Sequence, residues 1–97
     1  MAKTRQIREI LKWEKEFCDV IWYDRKRVLQ RKIQEGLETM TPEIKKGMLA
    51  SMKKAEAKYG KHRLRNYYKD TFEWGMLNGK LSALRWVLGD DWDMLDT

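Results

Sequence analysis

The chain has 97 residues, of which 42% are hydrophobic and 37% are charged, and its formal net charge is +6 at pH 7. This length accommodates one domain with a modest core. With no apolar run of 18 residues and no signal-peptide pattern, the sequence argues against a membrane span and against secretion. The single cysteine, Cys18, cannot form an internal disulfide, which is typical of a reducing compartment and predicts a cytoplasmic protein.

The composition predicts an all-α fold, because one Pro and few β-branched residues accompany many Leu, Lys, Glu, Met and Arg. We expect a single domain over residues 1–97, folded as a small helical bundle of three main helices. These helices are predicted to span about residues 4–36, 42–58 and 71–88, and an acidic tail over residues 89–97 is predicted to dock on them.

The first predicted helix is longer than either of the others. Its apolar residues fall within one arc of about 140° on a helix of 3.6 residues per turn. Its surplus length must pack on both other helices in turn or on another copy of the chain, which favours a homodimer. Trp13, Val20 and Tyr23 lie outside the arc and are predicted to widen the interaction surface. The arc contains Ile7, Ile10, Leu11, Phe17, Cys18, Ile21, Trp22, Val28 and Leu29.

Three charged residues, Glu14, Arg25 and Lys32, fall inside this apolar arc. A charge there costs free energy unless it is paired or its stem reaches solvent. One interpretation is a polar pocket formed by Glu14, Arg25 and an Asp of the tail. The other, which we favour, is a set of salt bridges between helices or of charged groups that reach water.

The second helix has the clearest start in the chain. Thr41 is the predicted N-cap, Pro42 occupies the first helical position and Glu43 lies in the first turn. Gly60 supplies the stop. The buried stripe is predicted to contain Ile44, Met48, Met52, Ala55 and Tyr59.

The third helix, residues 71–88, is predicted to lie at the centre of the fold. Asp70 and Glu73 form a reciprocal capping pattern, and Gly89 ends the helix. One apolar stripe contains the leucines, and a second combines large apolar residues with small ones spaced by four. We therefore expect a glycine-lined groove that another helix fills, so that Gly79→Leu overpacks it and either destabilises the fold or dissociates the dimer. The first stripe is Leu77, Leu81, Leu84 and Leu88; the second is Phe72, Gly75, Met76, Gly79, Ala83 and Trp86.

The tail, DDWDMLDT, combines large apolar residues with aspartates. Trp92, Met94 and Leu95 are predicted to dock on the bundle while the aspartates face water or a basic neighbour. The segment from Gly79 to Thr97 resembles a short bacterial family signature, but no named family and no activity follow from it.

The charge is concentrated in the middle of the chain. Residues 25–69 carry fourteen basic and four acidic groups, whereas residues 70–97 carry two basic and six acidic groups. Such asymmetry predicts an anionic partner for the middle, most simply a nucleic acid bound without sequence preference. The tyrosines are candidates for stacking on unpaired bases. The predicted site is Lys45, Lys46, Lys53, Lys54, Lys58, Lys61, Arg63, Arg65, Tyr67, Tyr68 and Lys69.

The sequence is compatible with two other classes of function. A protein-interaction module, an adaptor or inhibitor, would use the long first helix and the aromatic tail. An enzyme would need a base beside Cys18, and His62 is the one histidine available. Because no phosphate loop, nucleophile elbow or metal-ligand spacing is present, we expect no catalysis, no metal and no cofactor.

Overall fold

The structure, a computed structural model, describes residues 3–92. Four helices and no strand form this part of the chain: α1 (Ile7–Gln34), α2 (Pro42–Tyr59), α3 (Lys61–Arg65) and α4 (Thr71–Val87). The predicted all-α class and the long first helix are thereby confirmed. Over the same residues, every helix is too short or too polar to cross a membrane.

The backbone divides into two compact units. The middle unit comprises residues 20–67, and the terminal unit combines residues 1–19 with residues 68–97. The middle unit contains α2 and α3, and the terminal unit contains α4. Helix α1 begins in the terminal unit and ends in the middle unit.

The ends of α2 follow the local chemistry that the sequence indicates. The Thr41 hydroxyl accepts a hydrogen bond from the Ile44 amide at 3.4 Å, and Pro42 occupies the first helical position. At the other end Gly60 has φ of +92°, a left-handed backbone that glycine adopts at low cost. This turn ends α2 and is followed at once by the short helix α3.

Helix α4 is capped by a variant of the predicted box. The Asp70 carboxylate accepts from the Glu73 amide at 2.8 Å, as expected. The Glu73 carboxylate, however, accepts from the Lys69 amide at 3.1 Å rather than from Asp70. Gly89 ends the helix with φ of +113°.

The core of the middle unit surrounds the central turns of α1. Ile21 and Tyr23 lie on opposite faces of α1, and both are buried together with Val20. Helix α2 contributes Met48 and Met52. The buried Leu64 holds α3, which contacts α2.

The predicted burial of α1 and α2 is therefore partly wrong. Ile7 and Leu11, in the predicted arc of α1, are exposed, whereas Val20 and Tyr23, predicted to widen the interaction surface, are buried. Ile44, predicted for the buried stripe of α2, is exposed as well. Periodicity identifies an apolar face, but the neighbours available at each turn decide which part of that face is covered.

Helix α4 is buried along one stripe only. Leu77 and Leu81 are buried, and Leu84 and Leu88 are partly buried. Gly75 and Gly79 are exposed, and a Cβ built on either would meet no atom within 4 Å. The prediction of a glycine groove on a central helix, filled from within the chain, is wrong for residues 3–92, because none of their atoms from outside α4 lies within 4 Å of a Cβ built on Gly75 or Gly79.

The tail is described only as far as Trp92, whose ring stacks on that of Trp86 with centroids 5.0 Å apart. This contact agrees with the predicted docking at that residue. Met94 and Leu95, which the same prediction names, lie outside the described residues.

Candidate nucleic-acid interface

The basic side chains of α2 lie mainly away from its buried stripe. At 100° per residue, Lys46 and Lys53 project within about 20° of one another and on the side opposite Met48 and Met52. They are two turns apart, about 10.5 Å along the helix axis. Lys54 is also exposed and projects on the side of α2 opposite the stripe, whereas Lys45 is partly buried beside the stripe.

These lysines are available to an external anion. Of the residues that the structure describes, none forms an ion pair with Lys46, Lys53, Lys54 or Lys61. All four side chains are exposed. No described acidic group balances their charge, so a polyanion can displace the solvent ions around them.

The charge imbalance seen along the sequence also separates the two structural units. The middle unit, residues 20–67, carries thirteen Lys and Arg residues against five Asp and Glu residues, a net charge of +8. The terminal unit carries eight basic and ten acidic residues, a net charge of −2. The net positive charge of the protein thus comes from the middle unit.

Cations and aromatic rings meet along α2 and α3. The Lys58 ammonium lies 5.0 Å from the centre of the Tyr59 ring, and the Arg63 guanidinium lies 5.5 Å from that of Tyr67. Both rings are partly buried. Tyr67 thus presents part of its ring beside a cation, an arrangement that suits stacking on a base.

Two predicted site residues belong to the terminal unit. The Tyr68 ring packs against that of Trp74 with centroids 4.9 Å apart. The Lys69 ammonium lies 3.6 Å from the Glu73 carboxylate. Both side chains have partners within the terminal unit, so the basic surface described here ends at Tyr67.

A polar cluster that sequence reasoning missed lies inside the middle unit. The Tyr23 hydroxyl, on α1, donates a hydrogen bond to the Glu56 carboxylate, on α2. Burial of the phenol and this bond raise the pKa of Tyr23 above its ordinary value, and Arg65 on α3 opposes the rise. Three helices therefore converge on one buried hydroxyl. Tyr23 lies opposite the predicted apolar arc on the helical wheel, so periodicity provided no signal for its burial.

The predicted polar pocket has a different partner set. Glu14 pairs with Arg85 of α4, with Oε1 and Nε 3.6 Å apart. Arg25 and Lys32 belong to the middle unit and are exposed. The ion pair between α1 and α4 matches the interpretation of Glu14 as a residue that bridges two helices.

Cys18 is placed beside a cation rather than beside a base. Its sulfur accepts a hydrogen bond from the Arg85 guanidinium at 3.5 Å, within the terminal unit. His62 belongs to the middle unit, where its ring contacts the Asn66 side chain at 3.3 Å. Among residues 3–92, no group of three His, Cys, Asp or Glu side chains is arranged to hold a metal ion.

The terminal unit contains a groove of 470 Å³ between the start of α1 and the second half of α4. Trp13 and Phe17 line it, with ring centroids 5.7 Å apart, together with Leu84. Arg5 and Lys80 add charge to the lining. The groove was not predicted, because periodicity within one helix cannot show how two helices diverge.

Comparison with known proteins adds no functional information. No family model matches the chain, and neither the curated proteins nor the solved structures yield a match.

Proposed function

We propose that the protein binds nucleic acid without sequence preference, through the basic surface of α2 and α3 in the middle unit. The observation that supports this most directly is the set of exposed lysines on α2, which have no acidic partner among the described residues. The net charge of +8 on residues 20–67 supports it further. The contacting groups are Lys46, Lys53, Lys54, Lys58, Lys61, Arg63 and Tyr67.

The chemistry of these groups predicts how the complex behaves. Lysines act as point charges on phosphates and release condensed counterions, so affinity falls steeply as salt is added. They lack the forked geometry that reads base edges, and phosphate contacts carry no sequence information. Binding is therefore expected to depend on the backbone charge of the polymer rather than on its sequence.

Fluorescence anisotropy with random single- and double-stranded oligonucleotides tests the proposal. We expect micromolar or tighter affinity at about 50 mM salt and a linear fall of log affinity with log salt. The double variant Lys46→Glu, Lys53→Glu is expected to weaken binding by at least about 10-fold and to reduce the salt slope by about 2.

A matched control is the double variant Lys3→Glu, Lys12→Glu, which makes the same change in net charge within the terminal unit. Both of these lysines are exposed. If the two double variants lose affinity equally, binding reflects the total charge of the protein rather than the surface of α2 and α3. If the unmodified protein binds neither oligonucleotide at about 50 mM salt, the proposal fails.

A second candidate function is a protein-interaction module that uses the start of α1. The exposure of Ile7 and Leu11 favours it, because large apolar side chains in solvent often mark interaction surfaces. The adjoining groove beside Trp13 offers a pocket for an apolar anchor. A protein retained from nuclease-treated lysate by the unmodified chain, and lost with Leu11→Arg, would support this function. The matched control is Leu37→Arg, a change at another exposed leucine in the middle unit.

A further inference from the structure

The outer face of α4 has the spacing of a helix-pairing seam. Residues 72, 76, 79, 83 and 86 follow one another at steps of four, three, four and three, the repeat of paired helices. On the helix they point away from Leu77 and Leu81, which form the buried stripe. The seam residues are Phe72, Met76, Gly79, Ala83 and Trp86.

The large residues of this seam are exposed to an unusual degree. Phe72 is 74% exposed, Met76 47% and Trp86 49%, and Val87 beside them is 56% exposed. Isolated exposed apolar residues are ordinary, but several on one face of one helix mark an interaction site. The described chain approaches this face in two places: Trp92 stacks on Trp86, and the partly buried Ala83 lines the groove beside the start of α1.

Glycines lie at and beside the middle of the seam. Gly75 and Gly79 weaken the helix relative to alanine, and no atom of the described chain lies near either of them. Packing among the described residues therefore gives no reason for glycine at these positions. Close approach of a helix from another molecule would supply one, since small residues let two helix backbones come near each other.

We propose that a second copy of the chain docks on this face, with the two α4 helices antiparallel about a two-fold axis at Gly79. Such an axis places each residue opposite the one equally far from Gly79 on the other side. Phe72 then faces Trp86 of the second copy, and Gly75 faces Ala83. Bulky residues thus meet at both ends, Gly75 and Ala83 pair nearer the axis, and Met76 faces the small Ser82 of the second copy, so that the same surface contacts itself, as an interface about a two-fold axis requires.

The charge on α4 is compatible with this pairing. Its charged residues, Glu73, Lys80 and Arg85, lie about 80° or more from the centre of the seam. Glu73 and Arg85 already pair within the chain, with Lys69 and Glu14. Lys80 is one residue from the axis, so the Lys80 side chains of the two copies lie on the same flank of the seam, where they are exposed to water.

The available area suits a modest dimer. Full burial of an aromatic side chain covers about 150–250 Å², so the exposed parts of Phe72, Trp86 and Trp92 supply roughly 400 Å² per copy. Met76 and Val87 add to this. The total approaches the lower end of stable interfaces, in which each partner contributes about 600–800 Å².

Sedimentation equilibrium of the full chain tests the proposal, after nuclease treatment and in high salt so that nucleic acid cannot bridge two copies. We expect a mass twice the 11.8 kDa of one chain at about 100 µM. Gly79→Arg is expected to raise the dissociation constant at least about 100-fold while helical content is retained, since the side chain enters open space in the monomer.

The matched control is Gly47→Arg, the same substitution at an exposed glycine of α2 that also has no atom within 4 Å of an added Cβ. It is expected to leave the mass unchanged. Phe72→Ser provides a second test and Leu37→Ser its control, because both residues are well exposed. A monomer at every concentration, or a dimer that Gly79→Arg and Phe72→Ser leave intact, would overturn the proposal.

Cross-linking tests the orientation in a Cys18→Ala background. An axis at Gly79 brings residue 79 of both copies together, so Gly79→Cys is expected to form an intermolecular disulfide within the usual 4.4–6.8 Å between Cα atoms. Phe72→Cys alone is expected not to, whereas it should cross-link to a second chain carrying Trp86→Cys. Efficient self-cross-linking of Phe72→Cys would show a parallel pair and contradict the antiparallel arrangement. Because the α4 face lies in the terminal unit, failure here leaves nucleic-acid binding by the middle unit unaffected.

Discussion

At the scale of single residues, the most consequential side chain is Tyr23. It is 1% exposed, and its hydroxyl donates to Glu56 while Arg65 lies close enough to oppose the rise in its pKa. A buried phenol stays neutral because charge is unfavourable away from water, and the carboxylate acceptor strengthens that preference. Tyr23 thereby links helices that are distant in sequence, through one hydrogen bond.

We predict that stability declines in alkaline solution because of Tyr23. A pKa raised in the folded state means that stabilisation is fully present below the unfolded pKa of about 10 and is lost as pH rises through the folded value. Urea unfolding between about pH 8 and 11 measures this. Tyr23→Phe should cost about 1–2 kcal/mol at neutral pH and flatten the alkaline decline. An identical pH profile in the variant would contradict this role.

Gly60 and Gly79 differ in their backbone conformation and surroundings: Gly60 has a positive φ, whereas Gly79 is helical and faces open space. Gly79→Ala is expected to raise the free energy of unfolding by about 0.5–1 kcal/mol, because alanine is the better helix former and nothing obstructs its Cβ. Gly60→Ala is expected to lower it by about 1–2 kcal/mol, because φ of +92° strains any side chain. Thermal or urea unfolding at low protein concentration compares them. A loss of stability in Gly79→Ala would contradict this expectation and would indicate that another helix fills the groove beside Gly79.

At the scale of elements, the two long helices that follow α1 begin at caps of different quality. The Asp70 carboxylate accepts from the Glu73 amide at 2.8 Å, whereas the Thr41 hydroxyl accepts from the Ile44 amide at 3.4 Å. The aspartate also places negative charge at the positive end of α4. The start of α4 is therefore held more firmly by its cap than the start of α2.

This difference predicts unequal effects of removing the caps. Asp70→Ala should cost about 1–2 kcal/mol of stability, and Thr41→Ala about 0.5–1 kcal/mol. Urea unfolding near neutral pH measures both losses. Equal costs for the two variants would mean that hydrogen-bond geometry does not govern these helix ends.

The interior of α2 allows a similar comparison between neighbouring turns. Met52 is buried and Ile44 is exposed, although both belong to one predicted stripe. Met52→Ala is expected to cost about 2–5 kcal/mol, and Ile44→Ala less than about 1 kcal/mol. Unfolding in urea distinguishes them. Similar losses would show that Ile44 is covered in solution, for example by another molecule.

At the scale of the whole molecule, two surfaces of different chemistry belong to different units. The middle unit has a net charge of +8 and exposed lysines. The terminal unit has a net charge of −2 and most of the large exposed apolar residues, including Phe72 and Trp86. An anion is attracted to the first unit, whereas an apolar partner is favoured by the second.

Binding of a polyanion to the folded middle unit should raise the stability of the protein by mass action. At a free oligonucleotide concentration of 100 times the dissociation constant, the gain is about 2.7 kcal/mol. Differential scanning fluorimetry should therefore show a higher melting temperature with oligonucleotide. The shift should disappear in high salt and in Lys46→Glu, Lys53→Glu, but persist in Lys3→Glu, Lys12→Glu. An unchanged melting temperature at saturating oligonucleotide would show that the oligonucleotide does not bind the folded state in preference to the unfolded state.

The sequence by itself determined the all-α class, the long first helix, the capped starts of α2 and α4 and the glycine stops. These features depend on residues within about one turn of one another, so local propensity and capping suffice to specify them. It also located the basic segment, because charge can be counted without knowing the fold.

Only the tertiary structure decided which faces are covered. Tyr23 is buried beside Glu56, thirty-three positions away, while Ile7, Ile44 and Phe72 remain exposed on faces that looked equally apolar. The Tyr68 ring packs against Trp74, and Lys69 pairs with Glu73. No described residue packs on Gly75 or Gly79. Periodicity shows that a helix has an apolar side, but burial depends on contacts between distant segments, and these are set by packing in three dimensions.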